Sequence, residues 1–123
     1  MFLNLNHKKL KVYNAIREMI KEVYKVSLLL PHDERFNMVQ QLRRVALSVK
    51  LNLAEGSTRR TEPERIRYLE IARGSLVEID AAVETAFDLN YLTLEQLEPL
   101  GLLLNKCFAM LSKMMMAKKE ITI

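Results

Sequence analysis

Seven cations carry most of the chemistry that this sequence offers. Arg59 and Arg60 lie between two predicted helices, Arg65 and Arg67 one or two turns into the second, and Arg43, Arg44 and Lys50 on the helix before. Guanidinium forks match phosphate oxygens, and a helix N-terminus beside them adds amide donors and a positive dipole end. Such a surface suits a nucleic-acid backbone, with affinity but little sequence information. A solvated surface, or pairing with Glu62, Glu64 and a neighbouring subunit, explains the same residues, and both readings stay open.

Other chemistries lack their residues. His7, His32 and Cys107 are scattered without metal-ligand spacing, so no metal site is expected. His7 is expected at a frayed, solvated terminus, His32 in a loop, and Cys107 as an inert thiol on an apolar helix face. Asp80, Glu84 and Asp88 repeat every four residues, with Glu70 on a similar face. A four-helix di-metal centre also needs Glu-x-x-His, which is missing, so a solvated acidic face is the better reading. Gly56, Gly74 and Gly101 do not space as a phosphate loop or dinucleotide turn. No general base, activated nucleophile or cofactor motif stands out, and an enzyme is not expected.

The charge is uneven. Residues 1–60 hold twelve basic and five acidic side chains, net +7, and residues 61–123 hold seven and ten, net −3. Such a split steers a polyanion to one face or pairs subunits head to tail. The single cysteine excludes an internal disulfide, and the opening Met1-Phe2-Leu3-Asn4-Leu5-Asn6 is too short for a secretory apolar segment. A cytoplasmic location follows as the expectation. No apolar run approaches the ~20 residues of a membrane span, so no membrane partner is expected.

These residues must be held by helices. Three glycines and three prolines in 123 residues are too few for an all-β fold built on turns. Leu10, Tyr13, Ile16, Ile20, Val23 and Tyr24 recur at three- and four-residue steps, predicting a helix over about 7–30. Val39, Leu42, Val45, Ala46, Val49 and Leu53 predict a second over about 35–55, ended by Gly56 in a left-handed conformation. Thr61-Glu62-Pro63-Glu64 and Thr93-Leu94-Glu95-Gln96 read as capping boxes that open helices over about 62–89 and 94–118. Pro99 lies near the start of the last helix, and Gly101 weakens it slightly. Short loops between four helices predict one all-α domain, an antiparallel up-and-down four-helix bundle. Helix three is apolar well round its circumference, and Ile66, Val77, Ile71 and, on helix four, Met114 are candidates for a subunit interface.

The run Gln41-Leu42-Arg43-Arg44-Val45-Ala46-Leu47-Ser48-Val49, with Asn52-Leu53-Ala54-Glu55-Gly56, resembles the signature of the four-helix bundle protein family of 23S rRNA intervening sequences. Leu10-Lys11-Val12-Tyr13, Leu30-Pro31, Glu34-Arg35-Phe36, Arg59-Arg60, Ala72-Arg73-Gly74-Ser75-Leu76-Val77-Glu78 and Asp88-Leu89-Asn90-Tyr91-Leu92 extend the likeness over about residues 8–118. Many relatives have tryptophan where Tyr13 stands and proline where Lys50 stands. The second departure removes a kink and adds a cation. The family is related to the accessory variability determinant of diversity-generating retroelements. The resemblance implies a non-catalytic homo-oligomer, typically a pentameric ring, that binds nucleic acid through basic surface, with a reverse transcriptase as partner in the retroelement branch. It carries Arg43, Arg44, Arg59 and Arg60 over as the charged positions, and Asn52, Glu55 and Gly56 as signature residues whose role at the helix corner is either structural or ligand-binding. A scaffold that docks another protein through apolar and Met-rich faces, without nucleic acid, is the alternative.

Overall fold

A computed structural model describes residues 1–122, with side chains through Ala117. Four helices, α1 (Lys11–Ser27), α2 (Met38–Ser57), α3 (Glu62–Asp88) and α4 (Leu94–Thr122), follow a 3-10 turn at Asn6–Lys9, and a second 3-10 turn at His32–Glu34 lies between α1 and α2. Consecutive helices pack side by side and α4 closes back on α1, so the bundle is a square with up-and-down connections. Ile16, Met19, Leu42, Val49, Ile79, Leu100, Cys107 and Leu111 fill its axis and are essentially inaccessible. Each comes from the apolar stripe of its own helix, which only neighbours on both flanks can bury.

Local chemistry sets the ends. Thr93 and Gln96 form both arms of a capping box: the Gln96 amide donates to Thr93 Oγ1 at 3.1 Å and the Thr93 amide to Gln96 Oε1 at 2.9 Å. Thr61 accepts from the Glu64 amide at 3.4 Å, with Pro63 in the first turn of α3. α3 ends where Asn90 takes φ 63°, with the Tyr91 amide reaching back to Ala86 and that of Asn90 to Phe87. Those two bonds satisfy carbonyls that a helix end otherwise leaves open.

The structure changes four expectations. The first helix does not run from His7: Leu10 is extended, and the preceding turn folds over the end of α2. The bend buries His7, 5% exposed, edge-on to Tyr13 with centroids 5.4 Å apart and its Nδ1 3.4 Å from Ser57 Oγ. A straight continuation would leave that imidazole in water. α2 starts at Met38 rather than Arg35, after a short turn at His32–Glu34. Gly56 is not left-handed; no glycine has a positive φ among the described residues. It is buried one residue inside α2, and a Cβ there would sit 2.6 Å from Tyr68 Cβ. Glycine is needed for the close approach of α2 to α3. Finally, Leu94–Ala117 is long and apolar enough to cross a membrane by length and composition, with a mean hydropathy of 1.3. Leu100, Leu104, Cys107, Leu111 and Met115 on that helix belong to the bundle core, which accounts for one apolar face.

Candidate nucleic-acid interface

The seven cations divide by how they are held. Arg65 is committed to the α2–α3 corner. Its Nε donates to the Arg59 carbonyl at 2.8 Å, its Nη2 to the Arg60 carbonyl at 3.3 Å, and its Nη1 pairs with Glu62. A guanidinium with all three nitrogens engaged by its own loop acts as a staple for the turn. Arg59 pairs with Glu55 and lies over the Tyr68 ring, 5.0 Å from its centroid. Its Nε is buried and has no hydrogen-bond partner. Arg60 and Arg67 are exposed at the same corner, and Arg67 shares a shallow cleft with Arg59, Glu64, Tyr68 and Ile71.

On α2 the cations turn toward α1. Arg43 Nε donates to Ser27 Oγ at 2.9 Å, and its guanidinium lies 4.8 Å from the Tyr24 centroid. Lys50 Nζ lies 5.6 Å from the Tyr13 centroid, and Arg17, across the seam on α1, is 5.6 Å from the same ring. Cations over tyrosine faces gain electrostatically from the ring quadrupole while staying open to a second partner. Arg44 is exposed and donates to Gln41 Oε1 at 3.1 Å. Burial pushes the His7 imidazole below its ordinary 6.5, with lesser contributions from Lys8 and then Lys50. Lys8 belongs to the 3-10 turn itself, its Nζ donating to the Leu3 carbonyl, and Lys50 lies over the Tyr13 ring that His7 meets edge-on. Lys8 and Arg17 are not among the sequence candidates. The signal for Arg17 was present as its four-residue step from Tyr13, whereas Lys8 depends on the bend at Leu10.

The signature polar residues serve the α2–α3 contact. Asn52 Nδ2 donates to the Ser48 carbonyl at 2.8 Å and to Ser48 Oγ at 3.0 Å, and Ser48 Oγ lies 3.1 Å from Ser75 Oγ. Ser75 in turn donates to the Ile71 carbonyl at 3.2 Å. Partly buried groups that satisfy one another in this way fix the register of two helices. The structural role of Asn52 is thus the one built into the fold, and Glu55 holds Arg59.

The interface candidates separate too. Val77, 55% exposed, and Ile71, 42% exposed, stand on the outer face of α3. Ile66 is buried within the bundle, and Met114 is half-buried against the core, so neither side chain is freely exposed. Between α3 and α4 runs a groove of about 690 Å³ with Phe87, Leu94, Leu97 and Leu102 among its walls and Asp80, Glu84, Glu95 and Glu98 around it. Cys107 is fully buried, and desolvation raises its thiol to about 11. Among the described residues no three His, Cys, Asp or Glu side chains stand together as a metal site.

No curated protein is significantly similar to the chain. The sequence model of the 23S rRNA-intervening sequence proteins matches it over residues 8–113, from the 3-10 turn to deep within α4. That span holds all seven candidate cations, the signature on α2 and all but the last turns of the bundle, and the chain belongs to the 23S rRNA-intervening sequence protein family.

Proposed function

We propose that this protein is a non-catalytic accessory protein that binds RNA through the phosphate backbone and works as a homo-oligomer. The observation that carries this reading is the unneutralised charge of the first half. Of the twelve basic side chains in residues 1–60, only Lys21, Lys25 and Arg59 take part in ion pairs among the described residues. A solvated excess of this kind raises the local concentration of polyanions and gives binding that weakens steeply with salt. Membership of a family named for an rRNA intervening sequence favours RNA over other polyanions. A ring of subunits, five by the family resemblance, would repeat the basic surface, and exposed Val77 and Ile71 supply apolar area for the contact between copies.

Anisotropy of a labelled 20-nucleotide RNA, titrated with wild-type protein at low salt, tests the reading. Binding with a Kd of about 1–100 μM or tighter is expected for contacts of this type. No binding at low salt contradicts it.

The groove between α3 and α4 favours a second reading, a scaffold that docks another protein such as a reverse transcriptase. Its apolar floor and acidic rim suit a basic amphipathic partner segment. That reading expects no RNA binding at low salt, so the same titration separates the two.

A further inference from the structure

We propose that the RNA-binding element is the seam between α1 and α2, with Lys8, Arg17, Arg43 and Lys50 as the phosphate contacts, and that the arginine-rich α2–α3 corner holds the fold instead. This rests on the RNA-binding reading and gives that reading a place. Tyr13, Arg17, Ile20 and Tyr24 on α1 follow steps of four, three and four residues, and Arg43, Leu47, Lys50 and Ala54 on α2 follow the same steps. Each set occupies about 60° of its helix surface and extends about 16 Å. The helices are antiparallel, so Tyr24 meets Arg43 and Tyr13 meets Lys50.

Three features make this seam a phosphate track. First, its cations are free of carboxylates. α2 has no acidic residue from Met38 through Ala54, and Glu18 and Glu22 on α1 point at least about 100° away from the Tyr13–Tyr24 row. Second, the cations are positioned. Ser27 holds Arg43 by Nε alone, leaving Nη1 and Nη2 without a hydrogen bond among the described residues, and the Tyr13 ring carries Arg17 and Lys50. Third, the positions between the cations are apolar and half-buried. Ile20 on α1, with Leu47 and Ala54 on α2, brings no charged or polar side chain to compete with a phosphate. Tyr13 is 9% exposed, so its face is not available for base stacking, and Arg43 lies over the more exposed Tyr24 ring, so the seam offers cations to phosphates ahead of bare rings to bases. The corner differs on the first count, since Glu55 and Glu62 already occupy Arg59 and Arg65.

The test compares labelled single-stranded and duplex RNA on three proteins: wild type, Lys8→Gln/Arg17→Gln/Lys50→Gln, and Arg60→Gln/Arg67→Gln. The seam variant is expected to bind single-stranded RNA at least about tenfold more weakly, with a salt slope reduced by about 2. The corner variant is expected to stay within about twofold of wild type, and homopolymers of U and C to bind alike on contacts to phosphate. Equal loss in both variants, or loss in the corner variant alone, overturns the seam while leaving RNA binding intact; absence of wild-type binding overturns both. Preference for duplex or single strand identifies which backbone the seam accepts. Circular dichroism melts accompany each protein, and if the triple variant is unfolded, the exposed Arg17→Gln alone is expected to weaken binding about threefold, with recovery in Arg17→Lys. No weakening in a folded Arg17→Gln overturns the assignment.

Discussion

Gly56 and Gly74 are both helical glycines, and they predict opposite outcomes for the same substitution. A Cβ at Gly56 would meet Tyr68 at 2.6 Å, whereas nothing lies within 4 Å of one at Gly74. Gly56→Ala is therefore expected to destabilise the bundle by about 1–3 kcal/mol, through displacement of α3. Gly74→Ala is expected to stabilise it by about 0.5–1 kcal/mol, as in any open helix interior. Urea unfolding of the two variants checks the pair, and equal effects would contradict the packing account. His7 gives a pH signature. Its imidazole is held below 6.5 when folded, so folding favours the neutral form. The stability it contributes is complete above pH 6.5 and is lost as pH falls through the unfolded and then the folded value. The urea midpoint of wild type is expected to fall below pH 6.5 more than that of His7→Gln; parallel pH profiles would contradict burial of the imidazole. Gly56 was visible in the sequence as a helix breaker, but its partner was not. A close approach belongs to two chain segments, and only one of them is local.

At the scale of helices, the signals that proved legible were those confined to a few consecutive residues. Thr61 and Thr93 predicted their caps because a capping box lies within four positions, and both hydroxyls accept the expected amide. Thr93→Ala removes the accepting oxygen from the α4 box and is expected to cost about 1 kcal/mol, readable as a lower thermal midpoint. Asn90 closes α3 in the left-handed region, which a short amide side chain tolerates. What the local pattern missed was the bend at Leu10. Periodicity treats Leu10 as one more apolar step, whereas tertiary contact of the 3-10 turn with α2 decides its extended backbone. The same limit applied to the arginines. Their density at the α2–α3 corner suggested one cationic site, but Glu55 and Glu62 stand four and three residues from Arg59 and Arg65, and their ion pairs divert that charge into the turn. Cys107 was legible from its helix face alone. Buried and raised to about 11, it is expected to resist thiol reagents until the bundle unfolds, so rapid modification of native protein would contradict that placement.

Over the whole molecule, two surfaces of different character emerge on one small bundle. The α1–α2 side carries cations over tyrosine rings, while the α3–α4 side carries a groove of apolar residues with carboxylates at its edge. The opposite net charge of the two halves of the sequence pointed to that polarity, because consecutive helices in an up-and-down bundle stay adjacent. Subunit contacts were less legible, since the same apolar periodicity serves a core and an interface: Ile66 went to the first, whereas Val77 and Ile71 remain outside. If α3 forms the contact between copies, Val77→Lys places a charge in it and light scattering is expected to report smaller particles. An unchanged mass would place the contact elsewhere. The polarity also bears on the central claim, that this protein holds RNA by phosphate contact rather than docking a protein by apolar burial. The most direct measurement is the salt dependence of wild-type binding to a labelled single-stranded RNA. With four cations engaged, the slope of log K against log salt is expected near about −3. A slope near zero, or no binding at low salt, would contradict the account and move attention to the α3–α4 groove.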